Sequence, residues 1–171
     1  MGWTGSGQAA ELFALSEAGG DLVDHGDLVS KEPDGLCRAE IRIDHPGGSW
    51  TVRLASPIFD EPSTLLWDTA GLFVIGYGFV TYGFVARSGV LRWSHKSGTP
   101  LIAVLGSSRL EHVIVQAEIE TFAIDAEGDV AWRLAHSDVV ISAELVAGRL
   151  VLTSFAGEVR ALDPGTGRTL G

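Results

Sequence analysis

The sequence lacks the features that mark several classes of protein. Cys37 is the only cysteine, so the chain can form no internal disulfide and shows no adaptation to an oxidising compartment. No segment combines a helical hydrophobic period with capping residues, which argues against helices. The longest apolar run, from Leu72 to Ala86, is broken by three glycines and is too short to cross a bilayer as a helix. With no visible secretory signal, we expect a β-rich protein of the cytoplasm without a membrane span.

Positive charge is also scarce. The chain has 22 acidic and 12 basic residues, a net charge of −10, and only Lys31 and Lys96 are lysines. A phosphate backbone would be repelled by this charge, so nucleic acid is excluded as a partner. A basic partner fits the charge, although an acidic surface that keeps the protein soluble is the simpler explanation.

What the sequence does contain is an internal repeat of about 39 residues. The segment Gly89–Trp93 recurs as Gly128–Trp132, and a third turn glycine follows at Gly167, so the glycines are separated by two equal shifts of 39 residues. Short β-forming runs precede each of these turns. We predict three repeats of three or four short strands each, at about residues 63–98, 101–137 and 139–171.

The first part of the chain, residues 1–62, is less regular. Alternating apolar and polar residues from Ala39 to Leu54, divided by a turn at residues 45–48, predict a hairpin with one apolar face. The segment Leu12–Gly19 is a partial copy of the repeat. We therefore expect one all-β domain over residues 1–171, built as an antiparallel meander.

The third unit, Gly157–Gly167, resembles the repeat of quinoprotein-type (PQQ-like) β-propellers, whose pattern runs glycine, alanine, aspartate, threonine-glycine and tryptophan. The resemblance covers roughly residues 64–171 and implies a small or partial β-propeller, with a β-sandwich or open barrel as the alternative. It implies that each tryptophan docks on a neighbouring blade and that structural anchors lie at Gly89, Trp93, Asp125, Gly128, Trp132, Asp163 and Gly167. The pattern is incomplete, since Gly171 stands at the third tryptophan position.

The number of repeats is low for a closed ring, which typically has four to eight blades. Two arrangements would leave no open strand edge. In one, the N-terminal strand near residues 12–15 pairs with the last unit. In the other, the sheets stay open and a second chain covers the edge.

The candidate sites each have a structural explanation as well. Asp24, His25 and Asp27 are weak metal-ligand candidates, but they fit a solvated acidic loop better. Glu118 and Glu120 are expected on one face of a strand, as a carboxylate pair or as its wet side. Tyr77, Phe79 and Tyr82, with Phe84, form either an aromatic binding face or, more simply, core packing. No catalytic signature accompanies the histidines or serines.

These observations favour a non-enzymatic binding module whose partner is a protein or a second copy, with no cofactor. One specific form is an immunity-type antidote that masks a basic toxin. The alternative is a cofactor-binding or sugar-binding enzyme fragment related to quinoproteins, because the repeat itself is a structural signature and does not define a function.

Overall fold

A computed structural model describes residues 9–15, 37–58 and 60–171, with side chains from residue 39 onward. Apart from a short 3-10 turn at Asp68–Ala70, the regular structure is antiparallel β-sheet, so the all-β prediction is confirmed. Within the described ranges, no helix is long and apolar enough to cross a membrane.

In the described ranges, fourteen strands form four sheets, named A to D along the chain. Sheet A contains β1 (Ala9–Leu15), β2 (Cys37–His45) and β3 (Gly48–Ser56). Sheet B contains β4 (Ser63–Trp67), β5 (Leu72–Tyr77), β6 (Val80–Val85) and β7 (Leu91–Lys96). Sheet C contains β8 (Leu101–Leu105), β9 (Val113–Ala117), β10 (Glu120–Ile124) and β11 (Val130–Ala135). Sheet D contains β12 (Val140–Val146), β13 (Arg149–Ser154) and β14 (Val159–Leu162).

Each sheet packs face to face on the next, and an apolar core fills each of the three spaces. Strands β5 of sheet B and β9 of sheet C are fully buried, and Gln116 is the one side chain in them that ends in a polar amide, as expected for strands covered on both sides. The core between A and B includes Ile41 and Phe84, the core between B and C includes Val74 and Phe122, and that between C and D is centred on Leu150.

The first strand does not complete the last sheet. β1 pairs antiparallel with β2 along its whole length, from Ala9 opposite Asp44 to Leu15 opposite Arg38. No described strand of sheet A pairs with sheet D. The arrangement in which the N-terminal strand pairs with the last unit is therefore wrong.

The side of sheet A that faces away from sheet B is polar. Residues at even positions of β2 and odd positions of β3 point to this side, because the buried positions alternate with them. Here Arg53 Nε lies 2.9 Å from Glu40 Oε2, and Arg42 Nε lies 3.1 Å from Asp44 Oδ1. A face of paired charges is suited to water and not to the packing of another apolar sheet.

Candidate functional site

Two of the predicted tryptophan anchors join neighbouring sheets. The indole Nε1 of Trp93, in sheet B, donates a hydrogen bond of 3.2 Å to the carbonyl oxygen of Ala126 in the β10–β11 turn. Trp132, in sheet C, donates in the same way to Pro164, at 3.0 Å, in the turn after β14. Each indole thus reaches from the outer strand of one sheet to the turn of the next.

The turns that receive these indoles are shaped for close approach. Gly128 and Gly167 have φ values of 94° and 74°, which favour glycine. A Cβ atom on Gly128 would lie 2.6 Å from Trp93, and one on Gly167 would overlap the Trp132 indole. Asp125 stabilises the first turn, since its Oδ1 accepts hydrogen bonds from two backbone amides, and Asp163 Oδ1 accepts one in the second.

A third anchor, Trp50 of sheet A, was not predicted. Its Nε1 donates a 2.8 Å hydrogen bond to the carbonyl of Ala86, and a Cβ on Gly89 would lie 2.6 Å from its ring. Trp50 lies 43 residues before Trp93, so a search at the 39-residue period misses it. The sequence signal that could have revealed Trp50 is the predicted hairpin. Trp50 lies in its second strand, which is the last strand before the first repeat, as Trp93 lies in the last strand of its own repeat.

The opposite end of the sheets, away from the tryptophan turns, carries the candidate interaction surface. We call it the hairpin end, because it contains the β5–β6, β9–β10 and β13–β14 turns together with the connections between sheets. Large apolar side chains are exposed there, from 36% for Val139 to 78% for Phe155. The hairpin-end surface consists of Ile102, Ile119, Val139, Ile141 and Phe155.

Two members of this surface are exposed by the same backbone device. The pairing of β8 with β9 skips Ile102, and the pairing of β12 with β13 skips Ile141, so each isoleucine sits in a β-bulge at the start of the innermost strand of its sheet. A bulge turns one side chain away from the regular alternation. Ile102 is 37% exposed and Ile141 is 53% exposed as a result.

The turn tips of this surface are fixed in place. The carbonyl of Ile119 accepts a hydrogen bond from the amide of His136, and the amide of Phe155 donates to the carbonyl of Val139, at 2.8 and 2.7 Å. These bonds connect a hairpin tip with the connection beside it. A surface that is already ordered loses little entropy on binding.

A groove of about 390 Å³ lies beside Ile119 at this end, between sheets B and C, lined by Lys96, Gly98, Thr99, Glu120, Arg133 and Ala135. The Arg133 guanidinium lies 5.6 Å above the Phe122 ring, and its Nε is 3.5 Å from Glu120 Oε2. Arg133 also donates to His95 Nε2 at 3.3 Å. Burial, and then the charge of Arg133, lower the pKa of His95.

The structure differs from the sequence-based expectation at two candidate sites, the aromatic face and the carboxylate pair. Tyr77 and Tyr82 are only 2% and 1% exposed, within the core between sheets A and B, so they do not form a binding face, and Phe79 is half-buried in the turn between them. Glu118 lies in the β9–β10 turn and Glu120 begins β10, so the two carboxylates do not share one face of a strand.

The metal candidates Asp24, His25 and Asp27 lie outside the described residues. Among the residues that the structure does describe, no group of three or more histidine, cysteine, aspartate or glutamate side chains is placed to hold a metal ion.

No protein-family model and no curated protein sequence matches the chain. Solved structures do match. BamB from Moraxella catarrhalis is 21% identical with a TM-score of 0.55, over 77% of this chain and 42% of that chain. The Cps50 (Swd1) β-propeller domain of Myceliophteria thermophila is 9% identical with a TM-score of 0.54, over 63% and 35%. The dihydro-heme d1 dehydrogenase NirN, in complex with DHE, is 14% identical with a TM-score of 0.58, over 77% and 34%.

The fold is a partial β-propeller. Its sheets are the blades, and β4, β8 and β12 are the innermost strands. The match covers less than half the length of each of these structures, and identities of this size establish the fold alone.

Proposed function

We propose that this chain is a non-enzymatic module that binds a protein through the hairpin-end surface. The observation that carries the proposal is the group of five exposed apolar side chains at this one end. Exposed apolar residues gathered at one end of the sheets, among polar groups, indicate a protein-interaction site more strongly than singly scattered ones do. The fixed turns around them present the patch in one conformation.

Charge indicates what kind of partner fits. At the hairpin end the acidic groups outnumber the basic ones: Asp60, Glu118, Glu120, Asp138 and Glu158 against Lys96, Arg133 and Arg160. The whole chain carries a net charge of −10. A basic protein surface would be attracted over a distance and would then meet the apolar centre. The specific form of the proposal is an antidote that masks a basic toxin, in the manner of an immunity protein, on a PQQ-like repeat scaffold.

The proposal is tested by affinity capture from the native host with the wild-type chain and the double variant Ile119→Ser/Phe155→Ser. Both side chains are exposed, so the variant should fold, which its circular dichroism spectrum checks. We expect the wild type to retain a basic protein that the double variant loses. Binding should weaken at about 0.5 M salt, where charges are screened beyond a few ångströms.

Val90→Ser is the matched control, because Val90 is 55% exposed but lies in the turn after β6, at the opposite end. If all three chains retained the same proteins, the hairpin-end surface would not be the binding site. For the antidote form, the captured protein should be toxic when expressed alone and harmless with the wild type, but toxic with the double variant. A partner whose activity the wild-type chain leaves unchanged would contradict that form.

A further inference from the structure

The outer face of sheet D, which points away from sheet C, is only partly covered. Leu150, Leu152 and Leu162 point inward into the core with sheet C. Their neighbours along the strands therefore point outward. Val146 and Val159 are 49% and 64% exposed on this side. Val151 and Ala161, which face each other across β13 and β14, are half-buried between them.

The outer face of sheet D differs in composition from the faces by which sheets B and C receive the next sheet. Across sheets B and C, the rows of paired residues that face the next sheet are Leu65, Val74, Gly83 and Trp93, and then Leu105, Ile114, Ala123 and Trp132. The corresponding row of sheet D is Glu144, Val151 and Ala161. A carboxylate, Glu144, replaces the inner leucine, and Gly171 stands at the tryptophan position.

Head-to-tail association of two copies is also unfavourable. It would place the outer face of sheet D on the outer face of sheet A, where Arg42, Asp44, Glu40 and Arg53 form ion pairs. Burying those charges beneath valines would cost their hydration without supplying new partners.

The outer face of sheet D is, by contrast, complementary to itself. Glu144 is opposite Val151, and Arg149 is opposite Val146, so a negative and a positive group flank the valines on the same face. Both side chains are exposed, and neither forms an ion pair with another described residue. A two-fold axis through the valines would bring Glu144 of each copy to Arg149 of the other, and an isologous interface is the commonest way in which identical chains pair.

We propose that two copies of this chain associate back to back through the outer faces of their D sheets. The valines form the apolar centre of the interface, and the two reciprocal Glu144–Arg149 pairs set its register. This leaves the hairpin-end surface of each copy accessible at the edge of the dimer.

The test is the molar mass of the full chain in light scattering and sedimentation, up to about 100 μM, a range that detects weak specific association. We expect a dimer for the wild type and for the control Val90→Lys, and a monomer for Val159→Lys. Arg149→Glu should weaken the dimer at least tenfold, because it faces Glu144 with a like charge. The double variant Glu144→Arg/Arg149→Glu should restore it.

The charge reversal distinguishes this interface from other modes of association. A wild-type chain that stays monomeric throughout the range would overturn the proposal. So would a dimer that persists in Val159→Lys, or a double variant no tighter than Arg149→Glu alone. Circular dichroism of each variant establishes that a monomeric result comes from a folded chain. The outcome does not depend on the proposed partner at the hairpin end, because the variants lie on a different face.

Discussion

Gly89 and Gly148 have nearly the same backbone conformation but different surroundings. Their φ values are 72° and 77°, so an alanine at either position meets the cost of the left-handed region, about 1–2 kcal/mol. At Gly148 the new methyl group would meet open space, whereas at Gly89 it would overlap the Trp50 indole. Comparing alanine substitutions at the two glycines therefore separates the free-energy cost of backbone strain from the cost of the clash with the tryptophan.

We predict that Gly89→Ala lowers the free energy of unfolding by about 1–3 kcal/mol more than Gly148→Ala, the usual cost of forcing an extra methyl group into a packed site. Urea unfolding monitored by circular dichroism measures both values. Equal losses would mean that the indole can move aside without cost and that the contact with Trp50 stabilises little.

At the same scale, the sequence indicated some anchors and concealed another. Trp93 and Trp132 were found because equal spacing reveals equivalent positions. Trp50 makes the same hydrogen bond, but β3 and its connection to β4 are both longer than their counterparts at β7 and β11, and Trp50 is therefore out of register with the repeat. A fixed repeat length therefore fails to identify equivalent tryptophans wherever a strand or connection varies in length. The position of a tryptophan in the last strand of a hairpin identifies them better.

At the scale of strands and their turns, the His136 side chain links two parts of sheet C. It lies in the segment between β11 and β12 and forms a hydrogen bond with Thr121 of β10. Thr121 Oγ1 donates to Gln116 Oε1 at 2.5 Å and lies 2.6 Å from His136 Nε2, so the hydroxyl oxygen accepts the imidazole proton. Burial, and then the charge of Arg160, lower the pKa of His136 below its ordinary value of 6.5.

This shift predicts a loss of stability in mild acid. Because the unfolded chain binds the proton more readily, the free energy of unfolding is highest above about pH 6.5 and falls as the pH drops towards the lowered pKa. We expect His136→Gln, which keeps a donor but does not titrate, to reduce this fall between about pH 7 and pH 5.

Chemical denaturation at several pH values measures the slope. Arg160→Gln should also reduce the fall, since removing the positive charge returns the His136 pKa towards its ordinary value. A slope in His136→Gln identical to that of the wild type would show that other groups, such as His95, cause the acid sensitivity.

Turn positions were the hardest part of these elements to predict. Glu118, Ile119 and Glu120 alternate as a strand does, and short alternation cannot distinguish a strand from a hairpin tip without a turn residue such as glycine. The aromatic residues of β5 and β6 were better understood, since core packing was the favoured interpretation and Tyr82 and Phe84 are buried. Alternation thus predicts which residues share a face, but the neighbouring sheet decides whether that face is covered.

At the scale of the whole molecule, sheets B and C each have a packed neighbour on both sides, while described contacts cover sheets A and D on one side. In a stack of this kind, local stability depends on the number of neighbouring interfaces. We predict that backbone amides of β5 and β9 exchange with deuterium more slowly than those of β2 and β13. Mass spectrometry of peptic fragments, at concentrations too low for association, measures the difference.

Uniform exchange across the four sheets would contradict this prediction and would indicate that the stack unfolds as one cooperative unit. At concentrations that allow association, comparison with the Val159→Lys variant separates the contribution of a second copy, because β13 lies beneath the proposed dimer interface. The all-β architecture itself followed from the repeat, but the number of neighbours of each sheet depends on side chains that only the packed structure reveals.

The tryptophan and glycine contacts between sheets also bear on how such a chain changes length over time. Sheet C receives an indole at Gly128 and supplies one at Trp132, so a single unit carries both halves of its contacts. A tandem duplication of residues 94–132 would copy both the glycine that receives an indole and the tryptophan that supplies one. The contacts of the sheets before and after the duplicated unit would stay unchanged. A row of blades joined by contacts of this kind can thus gain a member by a single tandem duplication.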